Sequence, residues 1–278
     1  YTTLFRSLTI VAMGSSAPEM MVAASASLNG NPNTAIGNAL GSNITNIALV
    51  LGITALIKPL EVSSTTLKRE LPILLIISLL AFWMLFDVNL SRVEGLVLMG
   101  GFFTFIFGLL FITMKRHKHG AKGDAMLEEA EQEIPKDLPT SHAIFWVVVG
   151  IILLPVIANW LVDSAVFIAR SIGVSDLVIG LTVIAIGTSL PELAASVVSL
   201  MKKEDDLALG NIIESNIFNI LAVLSIAGIL APGNIDPDAV TRDAPIMIGV
   251  TVLLLLLCFG RRGSFSLTRV NGGILFAC

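Results

Sequence analysis

An internal repeat constrains this chain more than any other feature. Residues 8–72 align without a gap to residues 181–245 at a constant offset of 173, and 21 of the 65 positions are identical. The coincidences include Pro18/Pro191, Glu19/Glu192, Asn38/Asn211, Ser42/Ser215, Asn43/Asn216 and Asn46/Asn219. A match of that length means that one structural unit is built twice.

The unit is a membrane unit. The chain is 55% hydrophobic and only 14% charged, with a mean hydropathy of +0.87, too little charge to cover a soluble domain. Apolar runs of roughly 20 residues are the length a helix needs to cross a bilayer. Such runs read as spans at 8–28, 34–57, 71–86, 93–114, 143–169, 177–201 and 207–230, then 244–259 and a last one from 268. The expected class is an all-α integral membrane protein. Cys258 and Cys278 both lie in apolar segments and suggest neither a disulfide framework nor a thiolate metal site. No basic face accompanies an aromatic platform, which argues against nucleic acid. No nucleophile–base pair suggests an enzyme, and nothing suggests a cofactor.

Four segments follow. Residues 1–7, YTTLFRS, stand where the offset calls for VSDLVIG and share nothing with it, so they read as a non-native segment. Residues 8–114 form the first repeat, 115–141 a polar linker and 142–278 the second repeat. His117 and His119 in the linker read as part of a solvated basic turn rather than as a metal sensor.

Lysine and arginine orient the spans. One side holds 13 of them: Lys58, Lys68, Arg69, Lys115, Arg116, Lys118, Lys122, Lys136, Lys202, Lys203, Arg261, Arg262 and Arg269. The other side holds only Arg92, Arg170 and Arg242, so the linker side is expected to be cytoplasmic. Five spans separate equivalent points of the repeat, an odd number, so the halves have opposite topology. Inverted repeats of this kind build secondary transporters, with the substrate near the midplane where the repeats meet. A weaker echo, SRVEGLVL at 91–98 against TRVNGGIL at 268–275, pairs the last segment with the 93–114 span. It implies ten spans in a complete protein, five per half, with one preceding residue 1 and the last cut short.

The chemistry sits on the repeated motif. Glu19 and Glu192 are the acids deepest in their spans, and an ionisable group there costs roughly 2.5–3.5 kcal/mol even on the gentler scales. No lysine or arginine lies at that depth, so a bound cation is the expected counter-charge. Pro18 and Pro191 break their helices and free carbonyls near Gly14 and Gly187. Ser15, Ser16, Thr188 and Ser189 place hydroxyls one turn before the glutamates, and Ser42, Asn46, Ser215 and Asn219 bring oxygens from the next span. An all-oxygen set suits Ca²⁺ or Na⁺ rather than zinc or copper. Asp87, Asp236, Asp238 and Asp243 read as loop acids or helix caps, and Asp163 as interfacial.

At these motifs, Gly14–Glu19 with Gly37–Asn46 and Gly187–Glu192 with Gly210–Asn219, the chain resembles the calcium:cation antiporter superfamily. Within it, the resemblance is to the prokaryotic sodium/calcium exchanger type. The resemblance implies a ten-helix inverted repeat exchanging Ca²⁺ for Na⁺. It also implies a ligand set of Glu19, Ser15, Ser16, Ser42, Asn46 and the Ala12 carbonyl, with Glu192, Thr188, Ser189, Ser215, Asn219 and the Ala185 carbonyl. Three positions depart from the family pattern: Glu214 where a small residue is usual, amides at both Asn46 and Asn219, and Ser15 where threonine is commoner. Exchange against H⁺ is the alternative coupling, and a cation channel a more distant one.

Overall fold

The computed structural model describes residues 16–62, 66–118, 173–202, 205–258 and 266–278, and scattered helical positions between 141 and 171. Residues 1–15, with the 1–7 segment, Ala12 and Ser15, lie outside the described residues, as does most of the linker, His119 included. The described chain forms α1 (Ala17–Leu28), α2 (Pro32–Ile57), α3 (Leu71–Leu85), α4 (Arg92–Lys118), α5 (Asp176–Met201), α6 (Ala208–Leu230), α7 (Ala239–Cys258) and α8 (Arg269–Phe276). Of these, α2, α5, α6 and α7 are apolar and long enough to cross a membrane.

The connections are short because helix-stop residues sit where the turns are. After α1 the chain reverses through Gly30, whose φ of +77° is a left-handed conformation that glycine adopts without strain, and Pro32 opens α2. Helix α4 runs on to Lys118, so Lys115–Lys118 belong to the helix and not to the linker expected from residue 115. Likewise a helical turn precedes the apolar run of α3 and another opens α7. Thr66–Glu70 and Ala239–Asp243 are π-helical turns that carry the polar residues ahead of Pro72 and Pro245.

The inverted repeat is visible in the geometry. Thr66–Glu70 and Ala239–Asp243 are equivalent at the offset of 173, and so are the π-helical turns Asn46–Leu51 and Asn219–Val223, each starting on a motif asparagine. Four two-residue strands also obey the symmetry: β1 (Leu60–Glu61) pairs with β4 (Ser266–Leu267) and β2 (Asn89–Leu90) with β3 (Gly233–Asn234), all antiparallel. These ribbons are the one departure from a purely helical reading, and each ties one repeat to the other. Helix packing repeats as well. A Cβ on Gly95 would lie 2.8 Å from Ile229 N at the end of α6, and one on Gly272 would lie 2.8 Å from Ala55 Cβ at the end of α2. The two ribbons sort the charges as the sequence does. Arg269 donates to the Ile57 carbonyl (3.1 Å) beside the β1–β4 pair, while Arg242 and Asp238 lie just beyond β3.

Polarity runs opposite to that of a soluble protein. Trp83, Phe86, Phe103, Phe107 and Leu256 are exposed, whereas Glu19, Asn38, Ser42, Asn46, Glu192, Ser215, Asn216 and Asn219 are buried. Helix α6 is the most enclosed span, with 89% of its apolar window buried against 39% for α7. One expectation fails here. Asp243 is not a loop acid: it is fully buried, and both carboxylate oxygens accept from Arg242, at 2.7 Å from Nε and 3.2 Å from Nη2. A buried carboxylate needs that partner. The repeat held the clue, since Arg69-Glu70-x-Pro72 aligns with Arg242-Asp243-x-Pro245. Asp87 and Asp236 do act in loops, accepting from Asn89 N and Asp238 N.

Candidate ion site

A helical segment begins just before each glutamate. In α5 the helix pauses at Ser189 (φ −86°, ψ 0°), then resumes from Leu190 with Glu192 in its first turn. Ser16 (φ −93°, ψ 5°) has the same conformation ahead of α1, with Glu19 in the first turn. Both segments therefore begin just after a serine two residues before the proline. Pro191 has no N–H for the Gly187 carbonyl, while Ser189 N still donates to the Ala185 carbonyl at 3.0 Å. Both carboxylates thus sit at the start of a new helical segment, where the free N–H groups and the dipole favour negative charge.

The two glutamates converge. Both are buried, at 0% and 1% exposure, and close enough for their charges to interact. Ser215 Oγ donates to Glu192 Oε1 at 3.2 Å. Glu192 Oε2 and both oxygens of Glu19 have no hydrogen-bond partner among the described residues. Around them, α2 and α5 meet through a side-chain cluster: Thr188 Oγ1 donates to Asn38 Oδ1 (3.2 Å), with Ser42 Oγ 3.4 Å from Thr188 Oγ1 and 3.5 Å from Asn38 Oδ1. Glycines permit this approach, since a Cβ on Gly37 would lie 2.3 Å from the Leu177 carbonyl oxygen and one on Gly180 2.3 Å from that of Thr34.

Unpartnered buried atoms concentrate on the residues expected to hold an ion. Of 13 such atoms among the described residues, eight belong to Ser16, Glu19, Asn46, Ser189, Glu192 and Asn219. Leaving one such atom unpaired costs roughly 1–3 kcal/mol, so a cluster of them marks a place built for a ligand. The oxygens belong to carboxylates, hydroxyls and amides, with no histidine or cysteine among them, which suits a hard cation. The Ala185 carbonyl already accepts from Ser189 N and from Thr188 Oγ1 (3.3 Å). Ser15 and Ala12 lie outside the described residues. Asn38 joins the site, and Asn43 and Asn216 lie against it; the repeat marks all three as coincident positions, but motif spacing gave them no role. Glu214 is buried at 9% exposure, on α6 beside Ser215.

Comparison with known proteins gives the family. The sodium/calcium exchanger protein family matches residues 2–111 and 142–278. The chain is 52% identical over 268 residues to the putative antiporter CaxA of Alkalimonas amylolytica, covering 96% of this chain and 83% of that protein. It is 42% identical over 255 residues to the inner membrane protein YrbG of Escherichia coli K12, covering 91% and 78%. A structure of the sodium-calcium exchanger NCX_Mj, soaked with 2.5 mM Na⁺ and 1 mM Sr²⁺, superposes with a TM-score of 0.65 at 28% identity, over 99% of this chain and 84% of that one. With two inverted repeats, a buried carboxylate pair and this match along nearly its whole length, the chain is an integral membrane cation antiporter that belongs to the sodium/calcium exchanger family.

Proposed function

We propose that the protein exchanges Ca²⁺ for Na⁺ by alternating access, with the ions held between the repeats by Glu19, Glu192 and their neutral oxygen neighbours. The observation that carries this reading is the buried carboxylate pair with no basic partner among the described residues, set among unpartnered hydroxyl and amide oxygens. Two carboxylates match one divalent ion or several monovalent ones. The neutral ligands are Ser16, Ser42, Asn46, Thr188, Ser189, Ser215 and Asn219, joined by Ser15 and the carbonyls of Ala12 and Ala185.

Antiport follows from electrostatics. The site without cargo carries two uncompensated charges at a depth where each is costly, so only the loaded protein reorients. Any unbalanced charge moved per cycle couples exchange to the membrane potential at about 2.3 kcal/mol per charge per 100 mV. The linker and the β1–β4 ribbon are assigned to the cytoplasm and the β2–β3 ribbon to the outside, by the lysine and arginine count.

The test is ⁴⁵Ca²⁺ uptake driven by an outward Na⁺ gradient in proteoliposomes. Glu19→Gln and Glu192→Gln are each expected to abolish it. Retained uptake in both variants refutes the site. Uptake in the wild type driven by a pH gradient without Na⁺ assigns the coupling to protons instead.

A further inference from the structure

Four asparagines are buried where α2 and α6 cross: Asn43, Asn46, Asn216 and Asn219. They are not equally engaged. Asn216 Nδ2 donates to the backbone carbonyl of Asn43 at 3.3 Å, and Asn46 Nδ2 donates to Asn216 Oδ1 at 2.9 Å. Asn46 Oδ1 is left without a partner among the described residues. The direction of this relay is fixed by its first member. An amide side chain can be turned over at little steric cost, so its orientation comes from its partners. A backbone carbonyl can only accept, so Asn216 must present its nitrogen to Asn43 and its oxygen to Asn46. Asn46 must then commit its nitrogen to Asn216, and only its oxygen remains free.

From this polarity we infer that Asn216 is a positioning residue for ion binding: it locks the Asn46 amide with its oxygen toward the cation and its N–H groups away. The inference rests on the proposed role of Asn46 as a ligand. A neutral amide that could rotate would present hydrogens to a cation for part of the time, and holding it costs the relay two hydrogen bonds that a freely turning amide would not need. The inverted counterpart lacks the device. Among the described residues Asn219 has neither amide atom partnered, and Asn43 donates its side-chain amide to Met247 Sδ (3.4 Å) instead of receiving from Asn219. Among the described residues only Asn46, the first repeat's ligand amide, is held in one orientation, and the residue that holds it belongs to the second repeat.

Partners that orient a ligand typically contribute 10- to 100-fold to ion affinity. The test compares Asn46→Ala, Asn216→Leu, Asn216→Ala and Asn46→Ala/Asn216→Leu in Na⁺-driven ⁴⁵Ca²⁺ uptake, with thermal stability read by size-exclusion chromatography. Leucine keeps the branching and heavy-atom count of Asn216 while alanine leaves a void, so the two variants together separate lost polarity from altered packing. Each single variant is expected to raise KM for Ca²⁺ about 10-fold with the maximal rate little changed. The double variant is expected to be no worse than Asn46→Ala, because Asn216 acts only through Asn46. Wild-type KM in both Asn216 variants, with Asn46→Ala impaired, overturns the positioning role and leaves the site intact. Losses that multiply in the double variant overturn it too, since Asn216 would then touch the ion itself. Wild-type KM in Asn46→Ala refutes the underlying ligand assignment.

Discussion

Gly41→Ala isolates what the close approach of α2 and α5 contributes. The new Cβ would lie 2.3 Å from the Leu181 carbonyl oxygen, 2.6 Å from Leu181 Cα and 2.8 Å from Ala185 Cβ. Ordinary contacts begin near 3.5 Å, so the two helices must part by about 1 Å. Two of those three atoms are backbone, which cannot rotate aside. The cross-helix cluster cannot follow. Ser42 Oγ and Thr188 Oγ1 are already 3.4 Å apart, and a further shift of that size takes them out of hydrogen-bond range. Overpacking of this kind costs about 1–3 kcal/mol in stability, and a misplacement of about 1 Å in a preorganised site costs on the order of 100-fold in performance. The expected outcome is a lower melting temperature together with a raised KM for Ca²⁺ in proteoliposome uptake. Gly249→Ala on α7 is the control, because nothing lies within 4 Å of its Cβ position. Wild-type KM and melting temperature in Gly41→Ala would refute the claim that backbone contact between α2 and α5 holds the site together.

Other outcomes test the frame around the site. Asp243→Asn replaces a fully buried carboxylate by an amide beside Arg242, and loss of a charged hydrogen bond is worth roughly 1.5–3 kcal/mol. It is expected to lower the melting temperature while KM for Ca²⁺ stays unchanged; a normal melting temperature would show that the pair is dispensable. Topology is read by cysteine labelling in intact cells after Cys278, which is exposed, is replaced by serine. Asn234→Cys is expected to react with an impermeant maleimide added outside and Ser266→Cys only after permeabilisation. The reverse pattern inverts the assigned orientation.

Much of this was legible in the sequence because the repeat supplies an alignment within one chain. The shared Glu19/Glu192 and Asn46/Asn219 positions located the site, and the five-span separation gave the inversion. Three things were not legible. Hydropathy cannot see a π-helical turn made of polar residues, so the turns Thr66–Glu70 and Ala239–Asp243 were left outside the expected spans. Charge alone made Asp243 a loop acid or helix cap, because hydropathy does not report its pairing with the adjacent Arg242, at which only the aligned Arg69-Glu70 hints. Coincidence in the repeat marked Asn38, Asn43 and Asn216 but gave them no task. Their tasks appear only when α2 is laid against α5 and α6, where Asn38 bridges two hydroxyls and Asn216 bridges two residues of another helix.

The same alignment shows where the two halves cannot be interchangeable. Gly37 and Gly41 of α2 admit the α5 backbone with no room for a single added carbon. At the equivalent places α6 carries Gly210 and Glu214, a buried residue. An element packed on α6 at Glu214 must stand off by the thickness of a whole side chain, whereas the one on α2 stands off by none. The hydrogen bonds divide the same way: Thr188 bridges to Ser42 and Asn38, while Ser215 turns to Glu192. A chain folded from two copies of one unit therefore presents its cargo with unlike walls. Inverted symmetry gives the candidate site two matching halves, and Glu214 in place of Gly41 is where their packing must differ.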